Sequence, residues 1–237
     1  MKKRFPRIYR HIAARFAPDT QFGLHLTAGV ALLGLAVWLF GAIASEVVAG
    51  SHITLIDQQV ADWFHGHAAS GWTPFMLFVT HWHAPAGVLA MSFMLAIYFH
   101  VRRARYWLAS LALAVPGGLL LNVLLKYIFQ RARPSFGNPL LTLDSFSFPS
   151  GHTSGAVLFY GVFAAYLVCA TRPWPLRAVQ VGAALGMVAL VALSRVYLGV
   201  HYLSDVLAAM AVSGAWLATC ITAMSTLRRR RAVRVTE

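Results

Sequence analysis

Long apolar segments alternate with short polar segments along most of the chain. A bilayer core about 30 Å thick is crossed by about 20 apolar residues in a helix, because each residue adds about 1.5 Å. Backbone groups in lipid must be hydrogen-bonded within their own segment, which favours helices. Six segments qualify: residues 24–48, 84–101, 106–129, 153–171, 178–198 and 203–226. The pattern predicts an all-α fold, an integral membrane bundle of six transmembrane helices.

These segments divide the chain into three parts. We expect a basic N-terminal tail at residues 1–23, a six-helix membrane domain at 24–226 and a basic C-terminal tail at 227–237. The sequence Ala42-Ile43-Ala44 before Ser45 resembles a signal-peptidase site. The leader and the apolar segment before it are longer than in most signal peptides, so the sequence favours an uncleaved anchor, with cleavage as the alternative.

The composition agrees with a membrane protein. Hydrophobic residues make up 59% of the chain and charged residues 11%, and the mean hydropathy is +0.64. Soluble domains carry about 25% charged residues, and disordered chains are far less hydrophobic. The two cysteines both lie in apolar segments, which excludes a secreted disulfide scaffold.

The net charge of +13 raises the question of nucleic-acid binding. Sixteen of the 20 lysines and arginines lie in the two tails and in the loops at 102–105 and 172–177. Basic residues in short loops mark the cytoplasmic side of a membrane protein. The pattern therefore predicts no nucleic-acid partner. It places both termini in the cytoplasm, in the cytoplasmic membrane of a bacterium, and the loops at 49–83, 130–152 and 199–202 outside.

The first outer loop contains an apolar stripe with helical spacing. Such a short helix would lie in the membrane interface, where it would either guide a lipid head group or cover the bundle. The stripe consists of Ile56, Val60, Trp63, Phe64 and His67.

Histidines in the same loop raise the question of a metal site. Without cysteines or a carboxylate cluster at ligand spacing, they do not favour one, and we expect no cofactor. They are His65, His67, His81 and His83.

Four basic residues lie near the ends of apolar segments, namely Lys126, Arg131, Arg133 and Arg195. A charge at the centre of a membrane helix costs about 2.5 to 3.5 kcal/mol, so such residues are rare without a function. Lys126 and Arg133 are seven residues apart and would share one face if the helix continued that far. We expect Arg131 to contact a head group at the rim or to anchor the interface.

Two histidines accompany these cations at the same predicted surface. His152 follows Pro149, Ser150 and Gly151 at a helix start, where free amides attract an anion. His201 and Asp205 are four apart and share a helix face. The predicted topology brings both histidines and the cations to the outer end of the bundle. Such a site suits phosphoryl transfer, which depends on positioning and charge neutralisation.

The residue types suggest individual roles. Asp205 would orient His201 as nucleophile, and His152 would protonate the leaving oxygen. The phosphate ligands would be Lys126, Arg133, Ser150, Gly151 and Arg195. Taken alone, each histidine could be a hydrogen-bonded residue at a helix end, and each cation a snorkelling anchor. Ser194 has no base beside it in sequence and would support the site.

Three blocks of this sequence resemble the signature of the type-2 phosphatidic acid phosphatase superfamily. They are Lys126-x6-Arg133-Pro134, Pro149-Ser150-Gly151-His152 and Ser194-Arg195-x5-His201-x3-Asp205, eleven positions separated by gaps of 14 and 41 residues. The resemblance implies six membrane helices, an outward-facing site and a metal-independent phosphohistidine mechanism. It gives His201, Asp205 and His152 the same catalytic roles, and the five phosphate ligands the same function.

The sequence thus predicts a membrane lipid phosphatase that acts at the outer leaflet. We rank undecaprenyl diphosphate first as substrate, then phosphatidylglycerophosphate and phosphatidic acid. A phosphotransferase is the main alternative. A transporter would place charges at mid-helix and repeat its halves, which this chain does not do, and the haloperoxidases that share the site are soluble. The sequence does not indicate the oligomeric state or the acyl-chain preference.

Overall fold

The computed structural model describes residues 24–68 and 71–234, and all regular secondary structure in these residues is helical. The helices are α1 (Leu24–Ala49), α2 (His52–Gly66), α3 (Thr73–Trp82), α4 (Pro85–Val101), α5 (Arg105–Phe129), α6 (Gly151–Ala170), α7 (Trp174–Tyr197) and α8 (Leu203–Arg234). The predicted N-terminal tail lies outside the described residues.

Five of these helices are long and apolar enough to cross a membrane, namely α1, α5, α6, α7 and α8. A sixth crossing forms only if α3 and α4 are counted together, with a bend of 55° between them. The sequence predicted a single segment from residue 84. Ala84 has ψ 155° and precedes Pro85, and a residue before proline disfavours the helical region. The backbone therefore turns at this point.

The last helix is longer than predicted. It continues through Arg234, beyond the expected end at residue 226. The four consecutive arginines at 228–231 thus extend α8, and the predicted C-terminal tail begins as part of this helix.

The buried core lies between α4, α5 and α6. Val88, Leu111, Val115, Leu158 and Val162 are buried there and pack together. Buried apolar side chains pack in close contact, so these residues fix the position of α6 relative to α4 and α5. This packing sets the position of the α6 N-terminus at one end of the bundle.

Helix α1 packs on α8 at the edge of the bundle. A Cβ atom at Gly29 would lie 2.1 Å from the Thr222 hydroxyl oxygen, so the two helices approach closely only because residue 29 is glycine. Large apolar side chains such as Val30, Leu32 and Trp38 are exposed on α1. In a bundle of this kind these side chains face lipid.

The predicted interfacial helix is present as α2. Its buried residues are Asp57 and Ala61. Of the predicted apolar stripe, Phe64 packs near Tyr197, whereas Ile56 and Trp63 are exposed. Val60 and Phe64 of the predicted stripe thus cover the bundle together with the buried Asp57 and Ala61.

Candidate active site

One end of the bundle brings all three sequence blocks together. The segment after α5, the start of α6, the end of α7 and the start of α8 meet there, and direct hydrogen bonds join them. Arg133 donates to the Val200 carbonyl (2.6 Å). The Ser150 amide donates to the Asp205 carbonyl (3.1 Å).

His201 and Asp205 form a buried pair. The His201 Nδ1 atom lies 3.3 Å from Asp205 Oδ2, and the same oxygen accepts from Ser147 Oγ (2.5 Å) and from the Tyr202 amide (2.9 Å). Burial lowers the pKa of His201 to about 3, against the opposing effect of Asp205. The imidazole is therefore neutral near pH 7, as a nucleophile must be.

The other ring nitrogen of His201 faces a cation. His201 Nε2 lies 3.2 Å from Arg133 Nη1. The guanidinium of Arg133 is itself fixed by the Ser145 carbonyl (2.6 Å) and the Ser145 hydroxyl (2.9 Å). An anion bound by Arg133 would thus lie directly in front of Nε2.

Lys126 and Arg133 reach this place by a different route from the predicted one. Helix α5 ends at Phe129, and Gln130 takes a left-handed conformation with φ 45°. The helix thus ends at the predicted residue, and the condition under which Lys126 and Arg133 would share one helical face is not met. Lys126 Nζ donates to the Phe146 and Ser147 carbonyls, and Arg133 also donates to the Phe146 carbonyl (3.3 Å). The two cations thus converge on one loop rather than on one helical face.

The start of α6 presents the predicted amides. Ser150 is buried as the residue before the helix, and its hydroxyl accepts from Thr153 Oγ1 (3.1 Å). A Cβ atom at Gly151 would lie 3.3 Å from Asn122 Oδ1, so glycine allows the close approach of α5 there. The half-buried His152 side chain makes no hydrogen bond to another described residue.

Arg195 is fully buried at the end of α7. Its Nη1 atom donates to Thr80 Oγ1 of α3. Its Nε and Nη2 atoms have no hydrogen-bond partner among the described residues. A buried guanidinium with two open donors in fork geometry matches the oxygens of a phosphate. Ser194 instead donates to the Val191 carbonyl of its own helix (2.7 Å).

The expectation for Arg131 is wrong. Rather than lying at the rim, it forms ion pairs with Asp57 and Asp205, each at 2.7 Å. Burial alone would lower the pKa of the Arg131 guanidinium, but these two carboxylates raise the pKa above its ordinary value. Arg131 is therefore one of the residues that hold the His201–Asp205 pair in place.

Sequence reasoning missed several further residues that the structure places around the site. Asn122 donates to the Pro149 carbonyl (3.2 Å) and to Ser154 Oγ (2.9 Å), and a polar amide inside an apolar helix was a signal that could have revealed it. Thr80 and Ser147 carry no such signal, because small hydroxyl residues are common in membrane helices and loops.

The histidines that raised the question of a metal site have other partners. His83 contacts the Val79 carbonyl (2.7 Å) and the Tyr160 hydroxyl (2.9 Å), and His65 stacks on Phe136. Within the described residues, no three His, Cys, Asp or Glu side chains are grouped to hold a metal ion.

Comparisons with known proteins find a relative in sequence. The chain is similar to phosphatidylglycerophosphatase B of Bacillus subtilis, with 40% identity over 132 residues. This alignment covers 54% of the chain and 64% of the relative, which is less than two thirds of that relative.

Two solved structures have a similar fold. The first is a transmembrane PAP2-type phosphatidylglycerolphosphate phosphatase from Bacillus subtilis, with 29% identity, a TM-score of 0.67 and coverage of 81% of this chain and 94% of that one. The second is Aquifex aeolicus LpxE, with 20% identity, a TM-score of 0.56 and coverage of 70% and 94%. The likeness to LpxE shows the fold alone.

The model of the PAP2 superfamily matches residues 105–229, more than half of the chain. The matched region contains all three blocks and every residue assigned to the phosphate site. This chain therefore belongs to the PAP2 superfamily.

Proposed function

We propose that this protein is an integral membrane lipid phosphatase that hydrolyses its substrate through a phosphohistidine at His201. The observation that carries the proposal is the buried His201–Asp205 pair, in which the other ring nitrogen of His201, Nε2, contacts Arg133. The two open donors of Arg195 supply further contacts for the same phosphate.

In the first step, Nε2 of His201 attacks the phosphorus atom. The bond between phosphorus and the lipid oxygen breaks, and His152 donates a proton to that oxygen. Arg133, Arg195 and Lys126 neutralise the phosphate oxygens, with the amides at the start of α6. This positioning of charge is the main source of catalysis in phosphoryl transfer.

In the second step, water attacks the phosphorus of the phosphohistidine. His152, now neutral, accepts the proton of that water, and the bond between phosphorus and Nε2 breaks. Inorganic phosphate leaves and the neutral imidazole is restored. Asp205 holds Nδ1 throughout and stabilises the positive charge that the ring carries in the intermediate.

For the lipid, the relatives change the order of candidates. The relative found by sequence and the first solved structure, both from Bacillus subtilis, are named for phosphatidylglycerophosphate, so this monoester becomes our first candidate. Undecaprenyl diphosphate, which the sequence alone put first, becomes the second, and phosphatidic acid the third. The basic loops support an orientation in which the site faces the outer leaflet of the cytoplasmic membrane.

The test is phosphate release by the full chain purified in detergent, with a chelator present. The panel contains phosphatidylglycerophosphate, undecaprenyl diphosphate, phosphatidic acid and a soluble phosphate ester. We expect release from at least one lipid, unaffected by the chelator, and none from His201→Ala. Release of phosphate by folded His201→Ala would exclude this residue as the nucleophile. Loss of phosphate release in the chelator, restored by one specific metal ion, would exclude the metal-independent mechanism.

A phosphotransferase uses the same first step and differs in the acceptor. It would form a phosphorylated lipid or sugar alcohol and release no inorganic phosphate. Product analysis by mass spectrometry, with glycerol or a prenyl alcohol added, separates the two. A phosphorylated acceptor without free phosphate would overturn the hydrolase.

A further inference from the structure

The first turn of helix α8 donates hydrogen bonds to a carboxylate of another helix. Asp57 on α2 is 1% exposed, and its Oδ1 atom accepts from the Ser204 amide (2.8 Å). The Ser204 hydroxyl donates to the other oxygen of the same carboxylate. Free amides at a helix start favour a negative partner. Asp57 therefore fixes the first turn of α8, which also contains Asp205.

Arg131 connects this carboxylate with the active site. Its Nη2 atom donates to Asp57 Oδ2 (2.7 Å) and its Nη1 atom to Asp205 Oδ1 (2.7 Å). Nη1 also contacts Ser204 Oγ (2.7 Å), and the guanidinium lies 4.4 Å from the ring centroid of Tyr202. Only a guanidinium can bridge two carboxylates in this forked way, because the lysine ammonium is a single point charge.

The result is that both oxygens of Asp205 are held. Oδ1 is held by Arg131. Oδ2 is directed toward His201 Nδ1 and accepts from Ser147 and from the Tyr202 amide. Rotation of this carboxylate would break several bonds at once, and the imidazole keeps its direction.

We propose that Asp57 and Arg131 are positioning residues that fix the Asp205 carboxylate, and through it the His201 ring, for attack on phosphorus. The inference rests on the proposed function. Among the described residues, the side chains of Asp57 and Arg131 do not bond to Arg133, Arg195 or Lys126. The pair therefore acts on the rate of the chemical step and leaves phosphate binding unchanged.

The chain offers a matched control on the same helix. Asp62 is exposed on α2 and accepts from Gln58 (2.9 Å). We expect Asp57→Asn to lower kcat by about 10- to 100-fold with KM within about twofold, since a shift of about 1 Å in a reacting group can cost about 100-fold. Asp62→Asn should change neither constant. An unchanged kcat in folded Asp57→Asn, or an equal loss in Asp62→Asn, would overturn the inference.

A double variant separates positioning from independent damage. If Asp57 acts through Arg131, then Asp57→Asn combined with Arg131→Gln should be no slower than Arg131→Gln alone, within about twofold. A loss of kcat in the double variant equal to the product of the two single losses would contradict the inference that Asp57 acts through Arg131. A rise in KM in place of the fall in kcat would contradict it as well. If Asp57→Asn does not fold, Arg131→Lys tests the same fork, with lower kcat and unchanged KM expected.

A spectroscopic measurement distinguishes failure of this inference from failure of the proposed function. If the wild-type protein releases no phosphate from any substrate, the proposed function has failed. The NMR signals of the His201 ring then decide the inference, because Asp57→Asn should shift them and Asp62→Asn should not. Unshifted signals in Asp57→Asn would overturn it.

Discussion

Arg195 offers a prediction in which activity and stability change in opposite directions. Its side chain is fully buried, and its Nε and Nη2 atoms have no partner among the described residues. We consider Arg195→Met, which keeps a long flexible side chain and removes the charge. Methionine adapts well to irregular buried spaces.

The loss of activity follows from the two open donors. Each hydrogen bond to a charged group contributes about 1.5 to 3 kcal/mol, so two such bonds to phosphate contribute about 3 to 6 kcal/mol. At about 1.4 kcal/mol per tenfold, kcat/KM should fall by about 10²- to 10⁴-fold. Arg195→Lys keeps the charge but lacks the forked donors, so its kcat/KM should lie between that of Arg195→Met and that of the wild type.

The gain in stability follows from the same donors. A buried donor without a partner costs about 1 to 3 kcal/mol, and Arg195→Met removes two. Loss of the bond to Thr80 offsets part of this, again by about 1 to 3 kcal/mol, although threonine can bond to its own helix. We expect the free energy of unfolding to rise by about 1 to 3 kcal/mol.

The assay combines phosphate release with denaturant unfolding in one detergent, with and without inorganic phosphate. Wild type should gain stability from phosphate as a ligand of the native state, and Arg195→Met should gain much less. Arg177→Met is the control, because Arg177 is exposed on the same helix and its guanidinium donates to the Thr171 carbonyl (2.7 Å), away from the site. A variant that is both less stable and still active would refute the assignment of Arg195 to phosphate binding.

Three further predictions follow from the same geometry. His152→Ala should lower kcat/KM for a lipid phosphate by about 10²- to 10⁴-fold but kcat/KM for p-nitrophenyl phosphate far less, because kcat/KM reports the first step and a good leaving group needs no proton there; equal losses in kcat/KM would contradict the acid role. Burial lowers the pKa of His201 to about 3, so the neutral imidazole should persist as the pH falls from 8 to 5; an NMR titration of this ring with a midpoint near 6.5 would disprove it. A fluorescent protein fused after Glu237 should fluoresce in the cytoplasm, whereas an active alkaline phosphatase fusion there would reverse the topology.

Much of the bundle was predictable because membrane helices follow from length and apolar composition alone. The prediction was least accurate at residues 84–101. The length of this apolar segment indicated α4, but it indicated neither the bend before Pro85 nor the short helix α3. Helix α3 was invisible to that reasoning because it is too short to cross a membrane by itself. It nevertheless supplies Thr80, which contacts Arg195.

The candidate site was predictable for a different reason. Charges at the ends of apolar segments are costly, so Lys126, Arg133 and Arg195 stood out against their surroundings. The support behind them did not, because Asp57 lies in a polar loop where acids are ordinary. Its ion pair with Arg131 joins residues 74 positions apart, and only the packing of α2 on the bundle brings them together.

The central claim is the covalent intermediate at His201, and trapping it is the most direct test. A lipid substrate labelled with ³²P at its terminal phosphate would be mixed with the enzyme and quenched in alkali within milliseconds, since a phosphohistidine is stable to base and labile to acid. We predict label on the wild-type chain at a peptide containing His201, and none on His201→Ala. Rapid release of labelled phosphate with no protein-bound label, or label on His201→Ala, would contradict the account.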